Sequence, residues 1–233
     1  MLFLVDVSNF VYKTYFSLNR SVEFENKEDL KQAVIKTMKE MNKTLKGFEE
    51  KGNVALIFDS PDSKDKRLAI YPDYKGTRKE KPEPIKYCLK LAEERLPFKK
   101  IKRSGLEADD IIARIVEKNT DKEILIVSTD GDMEALIGSK VKIMKSNNSI
   151  LDEETLREEL GTDKDLKTFI QVRKALVGDS ADNIKGVSGI GKVKSLKLLN
   201  SIEGDDLYNG ILEKLNDKQK EEFKLAYELI KFQ

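Results

Sequence analysis

Three short apolar runs of the sequence each lead into an aspartate, and these aspartates are the first candidates for chemistry. The pairs are LFLV at 2–5 with Asp6, VALIF at 54–58 with Asp59, and ILIV at 124–127 with Asp130. Apolar runs of this length are typical of strands that are buried on both faces of a parallel sheet. Ligands of open α/β sheets bind beyond the carboxyl ends of the strands, so we expect the three carboxylates to converge in the fold.

Further acids stand at the ends of predicted helices. They are the EADD group with Glu107, Asp109 and Asp110 and the GDSAD group with Asp179 and Asp182, while Asp132 follows the strand-end Asp130 by two residues. Any one of these acids alone is as readily a helix cap or a solvated side chain, because an acid in the first turn favours the helix dipole. Together with the strand-end aspartates they predict one acidic site of nine carboxylates.

The composition restricts the chemistry of such a site. The chain has 233 residues, no histidine and one cysteine, Cys88. These counts exclude Ser-His-Asp and Cys-His nucleophiles, His-ligated zinc and an internal disulfide framework. Crowded carboxylates stay ionised only when cations neutralise them, and carboxylate oxygens select Mg²⁺ or Mn²⁺. Two such ions about 4 Å apart form the clamp used for in-line displacement at phosphorus.

Two basic segments predict contacts with phosphate, although the formal net charge of the chain is only +1. GVSGIGK at 186–192 opens a lysine-rich helix, as in a helix-hairpin-helix that grips nucleic-acid backbone; a plain turn explains its glycines equally well. Residues 62–103 carry fourteen Lys and Arg against seven Asp and Glu. Within them Tyr74, Lys75 and Arg78 suit stacking and phosphate contact with a single strand, and the alternative is a solvated charged loop.

The elements that position these residues alternate along most of the chain. Weaker strand candidates lie at 98–101 and 141–144. Helical periodicity predicts helices over 28–46, 83–96, 107–119, 154–160, 165–177, 192–201, 205–215 and 217–231. The alternation predicts an α/β fold with a mostly parallel central sheet and helices on both faces. The proline- and lysine-rich segment 60–84 is expected to be an exposed loop or a mobile helical insertion, and residues 161–233 a helical subdomain.

The sequence gives no indication of a membrane protein. No stretch approaches 18 apolar residues, and residues 1–5 lack the basic leader and the longer apolar core of a signal peptide. We therefore expect a soluble, cytoplasmic protein.

Five blocks of the sequence resemble the 5′-nuclease (flap endonuclease) superfamily, which includes bacteriophage 5′→3′ exonucleases and the 5′-nuclease domain of bacterial DNA polymerase I. In chain order they are LFLVDVSNFVYKTYF, ALIFDSPDSKDKRLAIYPDYKGTRKEKPEP, GLEADDIIA, LIVSTDGDMEAL and ALVGDSADNIKGVSGIGKVKSLKLL. The resemblance implies a PIN-like nuclease core over 1–160 with a basic helical arch at about 60–84. It also implies a helix-hairpin-helix at about 170–200 within the helical subdomain 161–233.

The resemblance implies metal-binding roles for the nine acids. A first ion would be surrounded by Asp6, Asp59, Glu107, Asp109 and Asp110. A second ion would be held, partly through water, by Asp130, Asp132, Asp179 and Asp182. Lys75 matches the arch lysine that acts on the scissile phosphate. The catalytic residues that the resemblance implies are Lys75, Asp130 and Asp132.

The resemblance implies DNA contacts as well. Tyr74, Lys75, Arg78 and Arg67 match arch positions that meet the substrate. The hairpin would bind duplex backbone, with a potassium ion on its carbonyls, through Gly186, Gly189, Gly191, Lys192 and Lys194. Lys13 stands where the family commonly has an arginine, and a lysine keeps the charge but loses bidentate geometry.

These features predict a structure-specific 5′ nuclease, a 5′→3′ exonuclease and flap endonuclease that hydrolyses DNA phosphodiester bonds in replication or repair with two Mg²⁺ or Mn²⁺ ions. The expected substrates are 5′ flaps, overhangs and single-strand/duplex junctions, with RNA primers on DNA as a further class, and the expected state is a monomer. Two alternatives remain open: a non-catalytic DNA-binding relative that has lost the metals, and a PIN-like ribonuclease acting on single-stranded RNA.

Overall fold

The central sheet forms from the apolar runs of the sequence. The computed structural model describes residues 1–19 and 27–233. The strands of the sheet are β1 (Leu2–Asp6), β2 (Asn53–Ile57), β3 (Lys99–Ile101), β4 (Ile124–Val127), β5 (Val141–Met144) and β6 (Ile150–Leu151). Their order is β3-β2-β1-β4-β5-β6, and every neighbouring pair is parallel except the antiparallel pair β5–β6. The mostly parallel sheet is confirmed, and β6 is an addition that the sequence did not predict.

Helices fill the connections between the strands and form the last part of the chain. The described helices are α1 (Val7–Asn19), α2 (Lys27–Glu49), α3 (Asp65–Ile70), α4 (Glu83–Arg95), α5 (Ala108–Glu117), α6 (Glu153–Leu160), α7 (Leu166–Val177), α8 (Lys192–Asn200), α9 (Leu207–Lys214) and α10 (Asp217–Ile230). A 3₁₀ helix spans Gly131–Leu136, and a short ribbon pairs β7 (Gly178–Asp179) with β8 (Ile184–Lys185). No helix in these described ranges has the length and apolarity to cross a membrane.

Alternate strand residues face two separate apolar cores. Phe3 and Val5 pack into a core that contains side chains of α1, α2 and α4. Leu4, Ile57 and Ile126 pack into a second core with side chains of α5 and α6. Both faces of the sheet are therefore covered, which is why the strand sequences are apolar at consecutive positions.

A third core lies among α7, α8, α9 and α10, where Phe169 and Phe223 are fully buried. Tyr74, from the segment 60–84, belongs to this core. The prediction that this segment is an exposed loop or a mobile projection was therefore wrong in part. Its residues 76–83 are exposed, but Arg67 and Lys75 are buried beside Tyr74, because their charged groups meet acids inside the fold.

Candidate active site

The three strand-end aspartates line one cavity of about 700 Å³ at the carboxyl edge of the sheet. Asp6 is the last residue of β1, and Asp59 lies two residues beyond β2. Asp130 caps the 3₁₀ helix, and its Oδ1 accepts the N–H of Asp132 at 3.0 Å. The structure therefore brings together side chains that are far apart in sequence, because β1, β2 and β4 are neighbours in the sheet.

Backbone and hydroxyl groups fix the carboxylates of Asp6 and Asp59. Oδ1 of Asp6 accepts the N–H of Asn9 at 3.1 Å, in the manner of a helix cap, and its Oδ2 accepts the Ser128 hydroxyl at 3.3 Å. Oδ1 of Asp59 accepts the N–H of Ala108 at 2.9 Å, and its Oδ2 accepts the Ser8 hydroxyl at 3.1 Å. Both aspartates thus hold local structure and line the cavity.

The first group of acids stands at the start of α5. Glu107, Asp109 and Asp110 each offer one carboxylate oxygen, and these oxygens lie within 4.8 Å of one another. Burial raises the pKa of Asp109 well above its usual range, and the charges of Asp110 and Glu107 raise it further. Burial likewise raises the pKa of Asp6 to about 7, with smaller contributions from Asp59 and Asp130. A bound cation would stabilise the ionised form of carboxyl groups whose pKa is raised in this way.

The structure places Arg67 inside the protein, which differs from the predicted contact with DNA. Its side chain is 3% exposed, and Nη1 and Nη2 donate to the two oxygens of Asp110, each at 2.9 Å. Nη1 also donates to Glu107 at 3.0 Å, and Nε donates to the carbonyl of Leu229 at 2.9 Å. Asp110 accepts the N–H of Gln233 as well and does not line the cavity. The Arg67–Asp110 pair therefore ties α3, α5 and the segment after α10 together behind the acids.

Lys75 and Tyr74 reach the acids from the segment 60–84. The Lys75 ammonium donates to Glu107 and lies 3.6 Å from Oδ2 of Asp182. The Tyr74 hydroxyl lies 2.7 Å from Oε2 of Glu107 and 3.1 Å from Oδ2 of Asp182. Lys75 has a left-handed φ of 54°, which is rare for a residue with a side chain, and its N–H is held by the Asp182 carbonyl at 2.9 Å. Strained backbone of this kind is concentrated at functional sites.

Arg78 lies on the rim of the same region. Its side chain is 47% exposed, pairs with the carboxylate of Asp182, and donates from Nε to the Ala181 carbonyl at 3.1 Å. Although burial opposes the change, Asp182 raises the pKa of Arg78. Of the predicted arch residues Arg67, Tyr74, Lys75 and Arg78, Arg78 is thus the one with an exposed side chain.

The second group of acids contains Asp132, Asp179 and Asp182, whose candidate ligand oxygens also lie within 4.8 Å of one another. Lys174, on α7, donates to Asp132 and pairs with Oδ2 of Asp179 at 2.6 Å. Burial raises the pKa of Asp132 to about 6 although Lys174 opposes the change. Burial acts to raise the pKa of Asp179, but the hydrogen bond and charge of Lys174, together with the N–H groups of Ala181 and Asp182, lower that pKa overall.

Seven of the nine predicted acids line the cavity, and Asp110 and Asp179 do not. The cavity wall also carries six cations: Lys64, Lys75, Arg78, Lys79, Lys81 and Lys86. The donors around the cavity are carboxylate oxygens, and the chain has no histidine. A donor set of this chemistry fits hard divalent cations such as Mg²⁺ and Mn²⁺.

The glycine-rich turn is held by α10. The N–H and the hydroxyl of Ser188 both donate to Glu222, each at 2.8 Å, and Gln219 donates to the Ser188 carbonyl at 2.9 Å. Gly191 caps α8, and Gly189 has a φ of +77°, so these two glycines serve the turn itself. The side chains of Lys192 and Lys194 in the first turn of α8 are exposed.

The sequence suggested that Gly186 lets the backbone approach a phosphate closely. The structure gives a steric reason for glycine at this position instead. A Cβ at this position would lie 2.3 Å from the carbonyl carbon of Val177 and 2.5 Å from the nitrogen of Gly178. The backbone at Gly186, directly after β8, therefore packs on the end of α7.

Lys13 points to the turn between β5 and β6 and is absent from the cavity wall. Its ammonium donates to Oδ1 of Asn148 at 2.9 Å and to the Lys145 carbonyl at 3.3 Å. Partial burial lowers the pKa of Lys13. In this structure the side chain connects α1 to that turn, which differs from the predicted substrate contact.

Sequence reasoning missed Lys174 and the hydroxyls of Ser8 and Ser128. A lysine in the last turn of a helix is expected from the helix dipole alone, so nothing in the sequence distinguished Lys174. Tyr12 was missed too; it follows Asp6 by six residues and lines the cavity. Its position within the first resembling block was the signal that could have identified it.

Sequence comparison gives a consistent result. Residues 1–161 match the profile of the 5′-3′ exonuclease N-terminal, resolvase-like domain. The chain is 36% identical to a 5′-3′ exonuclease of Buchnera aphidicola (subsp. Schizaphis graminum) over 89% of this chain and 73% of that protein. It is 33% identical to the thermostable DNA polymerase I of Thermus caldophilus over 84% of this chain but 23% of that protein.

Comparison with solved structures supports the same fold. The T5 5′-exonuclease with bound zinc superposes with a TM-score of 0.70 at 24% identity, over 98% of this chain and 86% of that one. The catalytic core of Rad2 in complex with DNA superposes with a TM-score of 0.51 at 19% identity, over 97% and 72%. From the profile match, the identity to the Buchnera exonuclease and the shared fold, the chain belongs to the 5′-3′ exonuclease family of nucleases.

Proposed function

We propose that this protein is a structure-specific 5′ nuclease that hydrolyses DNA phosphodiester bonds at 5′ ends and flaps with two divalent cations. The observation that supports this most is that eight acids, seven of them among the predicted nine, and six basic side chains line one cavity at the carboxyl edge of the sheet. Acidic side chains alone would repel the phosphodiester. Basic side chains alone would bind it but would not hold the cations that assist its hydrolysis. A cavity that carries both suits cation-assisted attack on phosphorus.

Two groups of residues would hold the cations. Asp6, Asp59, Glu107 and Asp109 belong to the first site, with Asp110 acting behind them through Arg67. Asp130, Asp132, Asp179 and Asp182 belong to the second site. When bound, divalent cations activate water near neutral pH and neutralise charge that develops on the phosphate. Lys75 and Arg78 add fixed positive charge from the segment 60–84, where they are already aimed at the acids.

The finer assignments extend this proposal to the rest of the molecule. We assign residues 1–160 to the nuclease core and 161–233 to a helical subdomain, whose α7, ribbon, turn and α8 form a helix-hairpin-helix for duplex backbone. Lys192 and Lys194 are exposed and suit contact with phosphate. The backbone carbonyls of the turn suit a potassium ion. Flaps, overhangs and RNA primers on DNA are the proposed substrates, and a monomer acting in the cytoplasm is the proposed state.

The test is cleavage of a 5′-labelled flap in Mg²⁺ and in chelator, with the cut position mapped. The proposal expects cleavage near the junction in Mg²⁺ and none in chelator. A chain that binds the flap without cutting it under any divalent cation would be a non-catalytic relative, and the proposal would be wrong. Preference for a single RNA strand of the same sequence over the DNA flap would instead favour the PIN-like ribonuclease.

The variant Asp130→Asn separates binding from chemistry. We expect kcat to fall by at least about 100-fold with little loss of flap affinity, because the cavity loses a charge that neutralises a cation but keeps its basic wall. Asp163→Asn, at an exposed position between α6 and α7, is the matched control and should leave the rate unchanged. An unchanged rate in Asp130→Asn would contradict the assignment of the second site.

A further inference from the structure

Lys174 places a cation between two acids of the second group. It lies in the last turn of α7, and its side chain is 21% exposed. The ammonium donates to Oδ1 of Asp132 and pairs with Oδ2 of Asp179 at 2.6 Å. These acids come from separate elements, the 3₁₀ helix and β7, so Lys174 also joins those elements to α7.

The carboxylates that Lys174 contacts are two of the three that could hold a metal ion together with Asp182. All candidate ligand oxygens of this group lie within 4.8 Å of one another. An ammonium group and a divalent cation inside so small a space repel each other and compete for the same oxygens. Without either of them, Asp132 and Asp179 would face each other across a largely desolvated space with no counter-charge.

We propose that Lys174 is the resident cation of the second acid group, and that a divalent cation entering this group displaces the ammonium from Asp132 and Asp179. This inference rests on the proposed two-cation function. Lys174 then keeps the metal-free site folded and lowers its affinity for metal, because each binding event includes release of the lysine. The long, flexible stem of lysine allows the ammonium to leave without movement of α7.

The first experiment measures Mn²⁺ binding to the whole protein without DNA, by calorimetry and by electron paramagnetic resonance. Lys174→Met should bind Mn²⁺ at one site about tenfold more tightly than the unaltered protein, because no ion pair has to be broken. In chelator the same variant should melt at a lower temperature, and Mn²⁺ should restore more of its stability than in the unaltered protein. Equal or weaker Mn²⁺ binding by a folded Lys174→Met would overturn the proposal.

Two variants provide controls. Lys167→Met removes another lysine of α7 that is ion-paired, but to Glu117 on the surface, and it should leave Mn²⁺ affinity unchanged. Lys174→Arg keeps the charge and should bind Mn²⁺ within about threefold of the unaltered protein, whereas tenfold tighter binding by this variant would count against a displaced cation.

A second measurement needs no folded Lys174→Met. Nitrogen-15 NMR of lysine ammonium groups should show a slowly exchanging Lys174 signal in chelator, assigned by its absence from Lys174→Arg. Titration with Mg²⁺ should remove that signal from its protected position, and a signal that stays unchanged at saturating Mg²⁺ would overturn the inference. Failure of the proposed function is distinct: it appears as an absence of Mg²⁺-dependent flap cleavage in the unaltered protein, whatever Lys174 does.

Discussion

Asp6 shows how one side chain serves both the fold and the site. It caps α1 through the N–H of Asn9, and it lines the cavity beside Asp59 and Asp130. Burial together with these neighbours raises the pKa of Asp6 to about 7. The metal-free folded protein therefore holds a proton on Asp6 that the unfolded chain releases at much lower pH.

The stability of the metal-free protein should consequently depend on pH through Asp6. Because the folded pKa lies above the unfolded value of 3.8, the contribution is complete below pH 3.8 and is lost as pH rises through about 7. Between pH 5 and pH 8 in chelator, the unfolding free energy should fall by about 2–3 kcal/mol from this group. Urea unfolding of the unaltered protein and of Asp6→Asn checks this, since the variant keeps a capping oxygen but loses the titration. Identical pH slopes in the two proteins would refute the assignment.

Arg67 permits a second prediction at the level of single residues. Its removal leaves Asp110 fully buried without its bidentate partner, so Arg67→Met should lower the unfolding free energy by about 3–5 kcal/mol. Arg103→Met, at an exposed position, should change it by less than about 0.5 kcal/mol. If Arg67→Met lowers DNA affinity at unchanged stability, Arg67 contacts the substrate and not the fold.

The strand-end aspartates and the EADD acids were predictable from sequence, because they follow an apolar run or stand at the start of a helix. The partner of Asp110 was not predictable in this way. Arg67 lies in a basic segment, where an exposed side chain is the ordinary expectation. Besides Asp110 it contacts Glu107 and the backbone carbonyls of Leu229 and Lys231, which come from the far end of the sequence. Lys174 meets Asp132 only because α7 packs on the 3₁₀ helix.

Among the elements, the strands were the most predictable because both of their faces are buried. The helix α1 was missed, since VSNFVYKTYFSLN follows β1 without a turn signal and mixes polar with aromatic residues. The segment 60–84 was misjudged because its burial depends on Tyr74 entering the third core, which no periodicity within the segment reveals.

The contact between Gly186, directly after β8, and the end of α7 leads to a prediction at the scale of elements. Gly186→Ala would place a methyl group 2.3 Å from the backbone of Val177, so we expect a loss of about 3 kcal/mol in unfolding free energy. Gly47→Ala is the control, because nothing lies within 4 Å of its Cβ position in α2, and a helix gains up to about 1 kcal/mol from this change. Thermal melting of both variants distinguishes the steric explanation from a role confined to phosphate binding, for which Gly186→Ala would fold normally and bind DNA weakly.

On the scale of the whole molecule, the net charge of +1 results from acidic and basic regions whose charges nearly cancel. Acids gather at the carboxyl edge of the sheet together with six of the basic side chains of residues 62–103, and the lysines of α8 are exposed. The composition indicated these separate charges along the chain, but only the sheet order brings Asp6, Asp59 and Asp130 to one edge.

The central position of β1 has a consequence for how the molecule opens. β1 is hydrogen-bonded on both sides, to β2 and β4, and Leu4 and Val5 are fully buried. Their amide hydrogens should exchange with solvent only when the whole protein unfolds, whereas those of α8 and α9 should exchange through smaller local openings. Hydrogen exchange followed by mass spectrometry measures this directly, and equal protection of β1 and α8 would contradict it. We therefore expect Asp6 and Asp59 to keep their arrangement during local openings that displace Asp179 and Asp182. The half of the site at the sheet edge then stays ordered while the other half is disrupted.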